Sequence, residues 1–517
     1  MDYGILSVVP AVLAIALAIL TKNIVVSLVV AVFAGSTILC GWNPITGFLE
    51  VTHTHIFAAL SEPSNMQALF MMTIISGFIA LLTRSGGAGA FTSVVTKKVN
   101  SRAKCETGIF LGGLFVWFTD TGNSLIVGPI FEALAEKLRV SREKFSYILD
   151  CTTSPICSMV PIIGWGVTTI SLIQAELDAA SITDVTGMDV FIQGIPFNFY
   201  AILTLFMAGL VSVTQWDYGP MLKAQNRAMK TGQTLREGGI PMRSENDNSP
   251  KTSAKEGKVS TMVIPLICLL IALFAYLFSK DFLHTQVPGS ELRTGIASAF
   301  LFATVVLIVL CLKEKLFTFE ECVSIYTKGC ANAMFMCVVL VLAWSLSSVT
   351  STLDTAGYLI HISSGFLAPG MLPLVMFLIG AVMSFATGTS WGTMGVLMPL
   401  GLPVAIDMGA SLPLVSAAIV GGGLFGDHCS PISDTTVLAS IGASCDHVDH
   451  FETQMPYAVT VAVICGIMFL VAGWVNSPIM LAVALVALTV VVFILHKLSV
   501  RRLGQVKTPG GQAQTKV

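Results

Sequence analysis

Two aspartates, Asp427 and Asp434, bracket a polar run between strongly apolar segments of the chain. The run reads Gly-Asp-His-Cys-Ser-Pro-Ile-Ser-Asp-Thr-Thr over residues 426–436, and no lysine or arginine lies between Lys328 and Lys497. A carboxylate in an apolar setting is costly unless something neutralises it, and inside membranes such residues mark ion pathways. The pattern predicts a site where a mobile cation or a proton neutralises the carboxylates.

Side chains with oxygen donors accompany acidic residues in both halves of the chain. In the first half the acids are Asp120 and Asp150. The supporting candidates are Thr121, Asn123, Ser124, Thr152, Thr153 and Ser154 in the first half, and Thr387, Thr389, Ser390, Ser430, Ser433 and Thr435 in the second. Hard cations such as Na+ prefer oxygen ligands. For one serine or threonine, helix capping explains the residue equally well, but the duplicated set favours cation binding.

Histidines beside these motifs offer proton chemistry, because an imidazole titrates near neutral pH. His428 follows Asp427 and is predicted either to relay protons or only to hydrogen-bond nearby backbone. His447 and His450, with their acidic neighbours, are predicted to form a solvated turn, with a pH sensor or weak metal site as the alternative. Asp354 and Asp407 are predicted to lie at the surface.

The composition places these residues in a membrane. The chain is 54% hydrophobic and 11% charged, with a mean hydropathy of +0.81, whereas soluble proteins carry about 25% charged residues. Apolar segments long enough to span about 30 Å of hydrocarbon recur along the chain. The 12 cysteines show no metal-binding spacing. These features predict an all-α polytopic protein in contact with lipid, with no cofactor and no nucleic-acid partner.

Eleven transmembrane helices and two re-entrant hairpins are predicted. The helices cover residues 4–21, 24–41, 67–83, 147–173, 191–214, 259–279, 292–312, 332–350, 412–445, 456–475 and 478–496. The hairpins, 105–136 and 371–408, are apolar pairs broken by polar, glycine-containing sequence. Nearly all of the 28 basic residues fall in loops that one topology places in the cytoplasm. That topology predicts the N-terminus outside and the C-terminus inside. The expected location is the inner membrane of a prokaryote.

The two halves share an order of motifs. Phe118 begins F-T-D-T-G-N-S and Phe385 begins F-A-T-G-T-S-W, and a Ser-Pro pair follows in each half, after Asp150 and after Asp427. The charge map makes their topologies opposite, which is the inverted-repeat plan of secondary transporters. The predicted units are a first repeat (1–214), a flexible linker (215–258), a second repeat (259–477), an added helix (478–496) and a basic tail (497–517).

The run from Phe425 to Thr436 resembles the signature of NhaC-type Na+/H+ antiporters, which belong to the ion transporter superfamily. The F-x-T-G-T-S-W-G-T segment from Phe385 and the D-T-G-N segment at Asp120 also look like those of the family. The resemblance implies exchange of Na+ for H+ by alternating access, with Asp427 and Asp434 as leading carboxylates. The family also includes malate/lactate exchangers and amino-acid carriers, so a coupled carrier of a small organic acid or amino acid is the alternative.

An enzyme is a remote alternative. Gly388-Thr-Ser390-Trp-Gly392 matches the G-x-S-x-G nucleophile pattern, with His428 as a conceivable base. That motif needs a strand-to-helix turn, whereas this segment is an apolar hairpin, so a transporter is predicted. We also predict no buried lysine or arginine that would pair with an anion, which favours cation exchange. By analogy with carriers of this build, a homodimer is predicted.

Overall fold

The chain folds into α-helices, and the described residues contain no β-strand. The computed structural model describes residues 3–21, 23–87, 90, 99–242, 257–280, 289–355, 358, 368–431 and 433–505. Nine of the described helices are long and apolar enough to cross a membrane, and a bent pair, Val25–Leu39 with Pro44–Ser61, makes a tenth. The predicted all-α polytopic membrane protein is therefore confirmed.

The helices fall into two sets, before and after a long connection. The first set is α1 (Val9–Thr21), α2 (Ile24–Leu39), α3 (Pro44–Glu50), α4 (Phe57–Ser61), α5 (Pro63–Arg84), α6 (Arg102–Phe115), α7 (Asp120–Lys137), α8 (Arg142–Cys151), α9 (Ser154–Cys157), α10 (Gly164–Ala179), α11 (Gly187–Gly194), α12 (Phe199–Thr214) and α13 (Gly219–Thr231). The second set is α14 (Ser260–Ser279), α15 (Gly289–Lys313), α16 (Phe319–Asn332), α17 (Met334–Thr352), α18 (Leu372–Thr387), α19 (Ser390–Met408), α20 (Leu412–His428), α21 (Asp434–Gly442), α22 (His447–Val475) and α23 (Ile479–Gln505).

Helices end at both Ser-Pro pairs, as predicted. Proline disfavours a helical conformation in the residue before it and lacks a backbone N–H. α20 ends at His428, and α21 begins after Ser433, whose hydroxyl accepts a hydrogen bond from the backbone N–H of Thr436 at 3.4 Å. In the first half the predicted helix 147–173 is wrong in detail. It is divided among α8, the single turn α9 and α10, because the chain breaks again at 158–163, which contains Pro161.

The two predicted hairpins are each a pair of helices with a short interruption. α6 and α7 are separated by residues 116–119, and α18 and α19 by Gly388 and Thr389. Gly388 ends α18 with φ of +69°, a left-handed conformation that favours glycine. The expected tip residues from Asp120 onward form the first turns of α7 instead of a loop.

Glycines let α7 and α21 approach each other closely. A methyl group built on Gly128 would overlap the carbonyl group of Gly442, and one built on Gly442 would overlap the carbonyl oxygen of Ser124. This contact joins the first half of the chain to the helix that follows the second Ser-Pro break. The polar residues at the starts of α7 and α21 are therefore held on packed elements.

We expect Gly442→Ala to lower the stability of the protein by about 1–3 kcal/mol, because the added methyl group overpacks this contact. The measurement is the thermal unfolding midpoint of the purified protein in detergent. Gly466→Ala is the matched control, since the methyl group there would meet Leu374 only at an ordinary 3.6 Å. Equal midpoints for the two variants would contradict the close packing of α7 on α21.

Two predicted segments differ from the structure. The linker is not flexible throughout, because α13 is an amphipathic helix that buries Met221 and Ala228, and its Arg227 makes two hydrogen bonds of 3.0 Å to Glu143. The last helix continues past the predicted end at 496 to Gln505. The rest of the linker, 243–256, and of the tail, 506–517, lies outside the described residues.

Candidate functional site

Asp427 is a buried carboxylate near the end of α20, with 3% of its surface exposed. Ser390, at the start of α19, donates a hydrogen bond of 2.7 Å to Oδ2, and Ser433, the N-cap of α21, donates one of 2.6 Å to Oδ1. The hydroxyl groups of Ser433 and Thr435 lie 3.0 Å apart. The structure thus brings together four of the predicted site residues from three helix ends.

Other predicted ligands of the second half use their hydroxyl groups on helix backbone. Ser430 donates to the carbonyl of Phe385 at 2.8 Å, and Thr387 donates to the carbonyl of Met383 at 3.0 Å. Hydrogen bonding to helix backbone, the alternative to cation binding, therefore accounts for these two hydroxyls. Thr389 precedes α19 in an extended conformation. The side chains of Asp434 and Thr121 lie outside the described part of the structure.

Asp150 is 1% exposed and connects the two halves of the chain. Its Oδ2 accepts hydrogen bonds from Gln454 Nε2 at 2.7 Å and from Thr436 Oγ1 at 3.2 Å. Two imidazoles face the same oxygen, with His428 Nε2 at 3.7 Å and His450 Nε2 at 3.9 Å. Asp150 is thus placed in the interior beside the second Ser-Pro break and away from the surface.

Four predicted site residues of the first half each have a buried oxygen atom that makes no hydrogen bond within the described structure. These atoms are Asn123 Oδ1, Ser124 Oγ, Asp150 Oδ1 and Ser154 Oγ. The amide nitrogen of Asn123, by contrast, donates to the carbonyls of Gly113 at 2.8 Å and Thr152 at 2.9 Å, which fixes the side chain. The hydroxyl of Thr153 donates to the carbonyl of Asp150 at 2.5 Å. Unsatisfied buried oxygens are costly, and a ligand that brings positive charge or a hydrogen to them would lower this cost.

The ring of His428 contacts side chains. Its Nδ1 lies 3.0 Å from the hydroxyl of Tyr200, and its Nε2 faces Asp150. The backbone carbonyl of His428 accepts a hydrogen bond of 2.6 Å from Gln454, which also binds Asp150. The imidazole therefore adjoins Asp427 in the chain and Asp150 in space, and the proton relay stays a prediction.

The predicted solvated turn at 446–450 is wrong. His450 is fully buried in α22, where a hydroxyl from α21 and an amide from the next turn of α22 lie within hydrogen-bond distance of its ring. Ser440 Oγ lies 2.9 Å from His450 Nδ1 and 3.2 Å from His447 Nδ1. His450 Nε2 lies 2.8 Å from Gln454 Oε1, and the half-buried His447 places Nε2 2.7 Å from the carbonyl of Pro431. Ser440 thus lies between the two imidazoles, and His450 Nε2 comes within 3.9 Å of Asp150 Oδ2.

Asp120 begins α7 and accepts a hydrogen bond of 2.8 Å from Trp165 Nε1. The rings of Trp165 and Trp391 lie 4.4 Å apart between centroids, at an angle of 44°. Trp391 follows Ser390 in the first turn of α19. The tryptophan pair therefore joins Asp120 in the first half to the helix end that holds Asp427.

Lys144 contradicts the prediction that no basic residue is buried. It is fully buried, and its ammonium group lies 2.9 Å from Glu106 Oε2, 2.8 Å from Asp217 Oδ2 and 3.2 Å from the carbonyl of Val211. An ammonium group has three protons, and these three oxygens take all of them. Lys144 is thus committed to the protein's own acids, and no local pattern could reveal it because Asp217 lies 73 residues away.

Comparisons with known proteins agree with this architecture. The model of the Na+/H+ antiporter family matches residues 3–162 and 156–474. An uncharacterised protein of Haemophilus influenzae is 31% identical over 512 residues, which cover 95% of each chain. The malate-2H(+)/Na(+)-lactate antiporter of Bacillus subtilis is 32% identical over 158 residues, which cover 31% of this chain and 34% of that protein. The YdaH transporter of Alcanivorax borkumensis has a similar fold, with a TM-score of 0.58 at 12% identity over 83% of this chain and 90% of that one.

Proposed function

Since the chain belongs to the Na+/H+ antiporter family, we propose that it exchanges Na+ for protons at Asp427 and Asp150. The family consists of membrane transporters, so the hydrolase alternative at Ser390 is set aside. The observation that carries the proposal is Asp427, a buried carboxylate held by Ser390 and Ser433 at the ends of broken helices. Broken helices at such sites are where secondary transporters bind ions.

In this proposal, Asp427 binds the transported Na+ together with the hydroxyl oxygens of Ser390, Ser433 and Thr435. The described residues hold no ready-made metal site of three or more histidine, cysteine, aspartate or glutamate side chains. Hydroxyl and backbone oxygens around one or two carboxylates would then complete the coordination, with Asp434 as the second acid. A carboxylate that binds Na+ must first lose its proton, so the two ions compete for one position.

The first half supplies a partial mirror of this site. Asp150 and the unsatisfied oxygens of Asn123, Ser124 and Ser154 form it, and Asp120 lies at the end of α7. We place the proton at Asp150, because the path through His450 and Ser440 reaches it from the half-buried His447, and His428 faces it from α20. Proton transfer along the path needs only short movements, since each neighbouring pair is within 3.2 Å except the last, which is 3.9 Å.

The finer topology belongs to the same proposal. Eleven helices and two re-entrant hairpins would form an inverted repeat, with α6–α7 entering from the cytoplasm and α18–α19 from outside. The hairpins and the broken helices would move together, exposing the site alternately to the two sides. The basic loops support a cytoplasmic C-terminus and an external N-terminus in a prokaryotic inner membrane. A homodimer rests on analogy with carriers of this build.

A Na+- or H+-coupled carrier of a small organic acid or amino acid is the second candidate. Trp165 and Trp391 form a close, tilted pair at the starts of α10 and α19, and an organic solute would gain from such aromatic surface. The Bacillus subtilis relative is a malate-2H(+)/Na(+)-lactate antiporter by name. Because Lys144 is occupied by its acids, a substrate carboxylate would depend on helix N-termini, which leaves cation exchange as the better-supported function.

Measuring proton movement in proteoliposomes distinguishes Na+/H+ exchange from coupled transport of an organic solute. We expect a pulse of Na+ alone to shift an internal pH dye in vesicles that contain the protein and to leave empty vesicles unchanged. In the same assay, Ser440→Ala should slow the proton signal by roughly tenfold or more, because it breaks the bridge between two imidazoles. His53→Gln, a change at an exposed histidine, is the control. A signal that requires an added organic or amino acid would refute simple exchange and support the second candidate.

A further inference from the structure

An acidic cavity of about 150 Å³ opens between the ends of α10, α17 and α19. Its polar lining consists of three carboxylates and three hydroxyls, and the described residues that line it include no lysine, arginine or histidine. These polar residues are Glu176, Asp354, Asp407, Thr350, Ser351 and Thr355. A pocket with this charge attracts a cation and repels an anion.

Glu176 shows that the cavity is more than an acidic surface. Its side chain is only 3% exposed, and its Oε1 makes no hydrogen bond within the described structure. A buried carboxylate oxygen without a partner carries a large desolvation cost. The carboxyl group has a side-chain hydrogen bond with Ser347, but Oε1 stays unsatisfied. Because Glu176 is one of the residues that line the cavity, a cation held there would lower this cost.

The cavity adjoins the two helices that lead to the proposed transport site. α10 carries Trp165 and α19 carries Ser390 in their first turns, and Glu176 and Asp407 lie near the other ends. At 1.5 Å per residue, Glu176 is about 17 Å along α10 from Trp165. A second cavity of about 330 Å³ shares Ala179 and Ser351 with the first, and its lining adds Glu62 and Asp178 together with His55. The acidic region therefore extends from this end of the helices toward solvent.

We propose that Glu176, with Asp354 and Asp407, forms an outer binding site for a hydrated monovalent cation, which captures Na+ before it reaches Asp427. This inference rests on the proposed exchange of Na+, and it adds a second cation site at the opposite ends of α10 and α19. Three carboxylates around a small polar cavity raise the local cation concentration, an effect that is about 10- to 1,000-fold on association in charged clefts.

Sodium binding and transport with Glu176→Gln test the proposal. In proteoliposomes at constant ionic strength, we expect the half-saturating Na+ concentration for proton movement to rise about tenfold, with the maximal rate retained. Asp184→Asn, an exposed acid outside the cavity, should leave both values unchanged. Glu176→Gln replaces a buried carboxyl group, one oxygen of which makes no hydrogen bond within the described structure, by a neutral amide of similar shape, so its thermal unfolding midpoint in detergent should equal or exceed that of the wild type.

Binding of radioactive sodium to the purified protein separates this site from the transport site. On an Asp427→Asn background, residual sodium binding should persist and should disappear when Glu176→Gln is added. If wild-type vesicles show no Na+-driven proton movement but sodium binding still depends on Glu176, the outer site stands and the proposed exchange fails. If Glu176→Gln changes neither sodium binding nor half-saturation, only water satisfies Glu176 and the proposal is overturned.

Discussion

Asp427→Asn is expected to abolish Na+-driven proton movement while the protein remains folded. The amide has nearly the shape of the carboxylate but carries no charge, so it can neither neutralise a bound Na+ nor release a proton. It would also direct an N–H group toward one of the two serine hydroxyls that now donate to Asp427. Loss of about 3 kcal/mol of cation binding corresponds to a roughly 100-fold weaker affinity, which is a clear loss in the vesicle assay.

The control for this change is Asp184→Asn, which neutralises an exposed acid of the loop after α10. Ser390→Ala and Ser433→Ala each remove one hydroxyl from Asp427 and should weaken Na+ affinity by less than the loss of the charge. Asp434→Asn should also abolish coupling if the second acid completes the site. Wild-type exchange in Asp427→Asn protein of normal thermal stability would rule out Asp427 as the ion-binding carboxylate.

The contacts of Asp427 follow from features that are visible in the sequence. Proline fixes where the helices end, and serines beside it supply caps, so the ends of α20 and α21 could be predicted from the Ser-Pro run. The G-T-S-W segment could be paired with this run because the first half repeats both motifs in the same order. Composition and apolar segment lengths were sufficient to predict a helical membrane protein.

Polar segments that the fold buries were not predictable in the same way. His450 follows acidic and polar residues, which suggested a solvated turn, yet its ring is buried between Ser440 on α21 and Gln454 on α22. The segment containing α13 is polar on one face only, and its composition concealed the face that buries Met221 and Ala228. The distribution of basic residues among the loops predicts on which side of the membrane a residue lies, but it does not predict which groups the side chain contacts.

Lys144→Met is the second change with a large expected effect, a destabilisation of about 3–5 kcal/mol. Lys144 on α8 neutralises Glu106 on α6 and Asp217 after α12, and Asp217 also accepts a hydrogen bond of 2.9 Å from Tyr457 on α22. Without the ammonium group, Glu106 would keep its ion pair with Arg102, whose Nε lies 3.6 Å from Oε1, but the buried carboxylate of Asp217 would lose the cation that neutralises it. The measurement is the thermal unfolding midpoint in detergent, with Lys137→Met, at an exposed lysine, as the control.

Substituting the acids that contact Lys144 shows whether lost charge or lost packing causes the expected loss of stability. Replacing a whole buried ion cluster by neutral groups of similar size is often neutral or stabilising, whereas removing one partner leaves uncompensated charge. Adding Glu106→Gln and Asp217→Asn to Lys144→Met should therefore restore most of the lost stability. A triple variant as unstable as the single one would mean that the methylene stem of Lys144 matters more than its charge. Recovery of stability with intact Na+ exchange would show that the cluster holds α6, α8 and α22 together and takes no part in ion transfer.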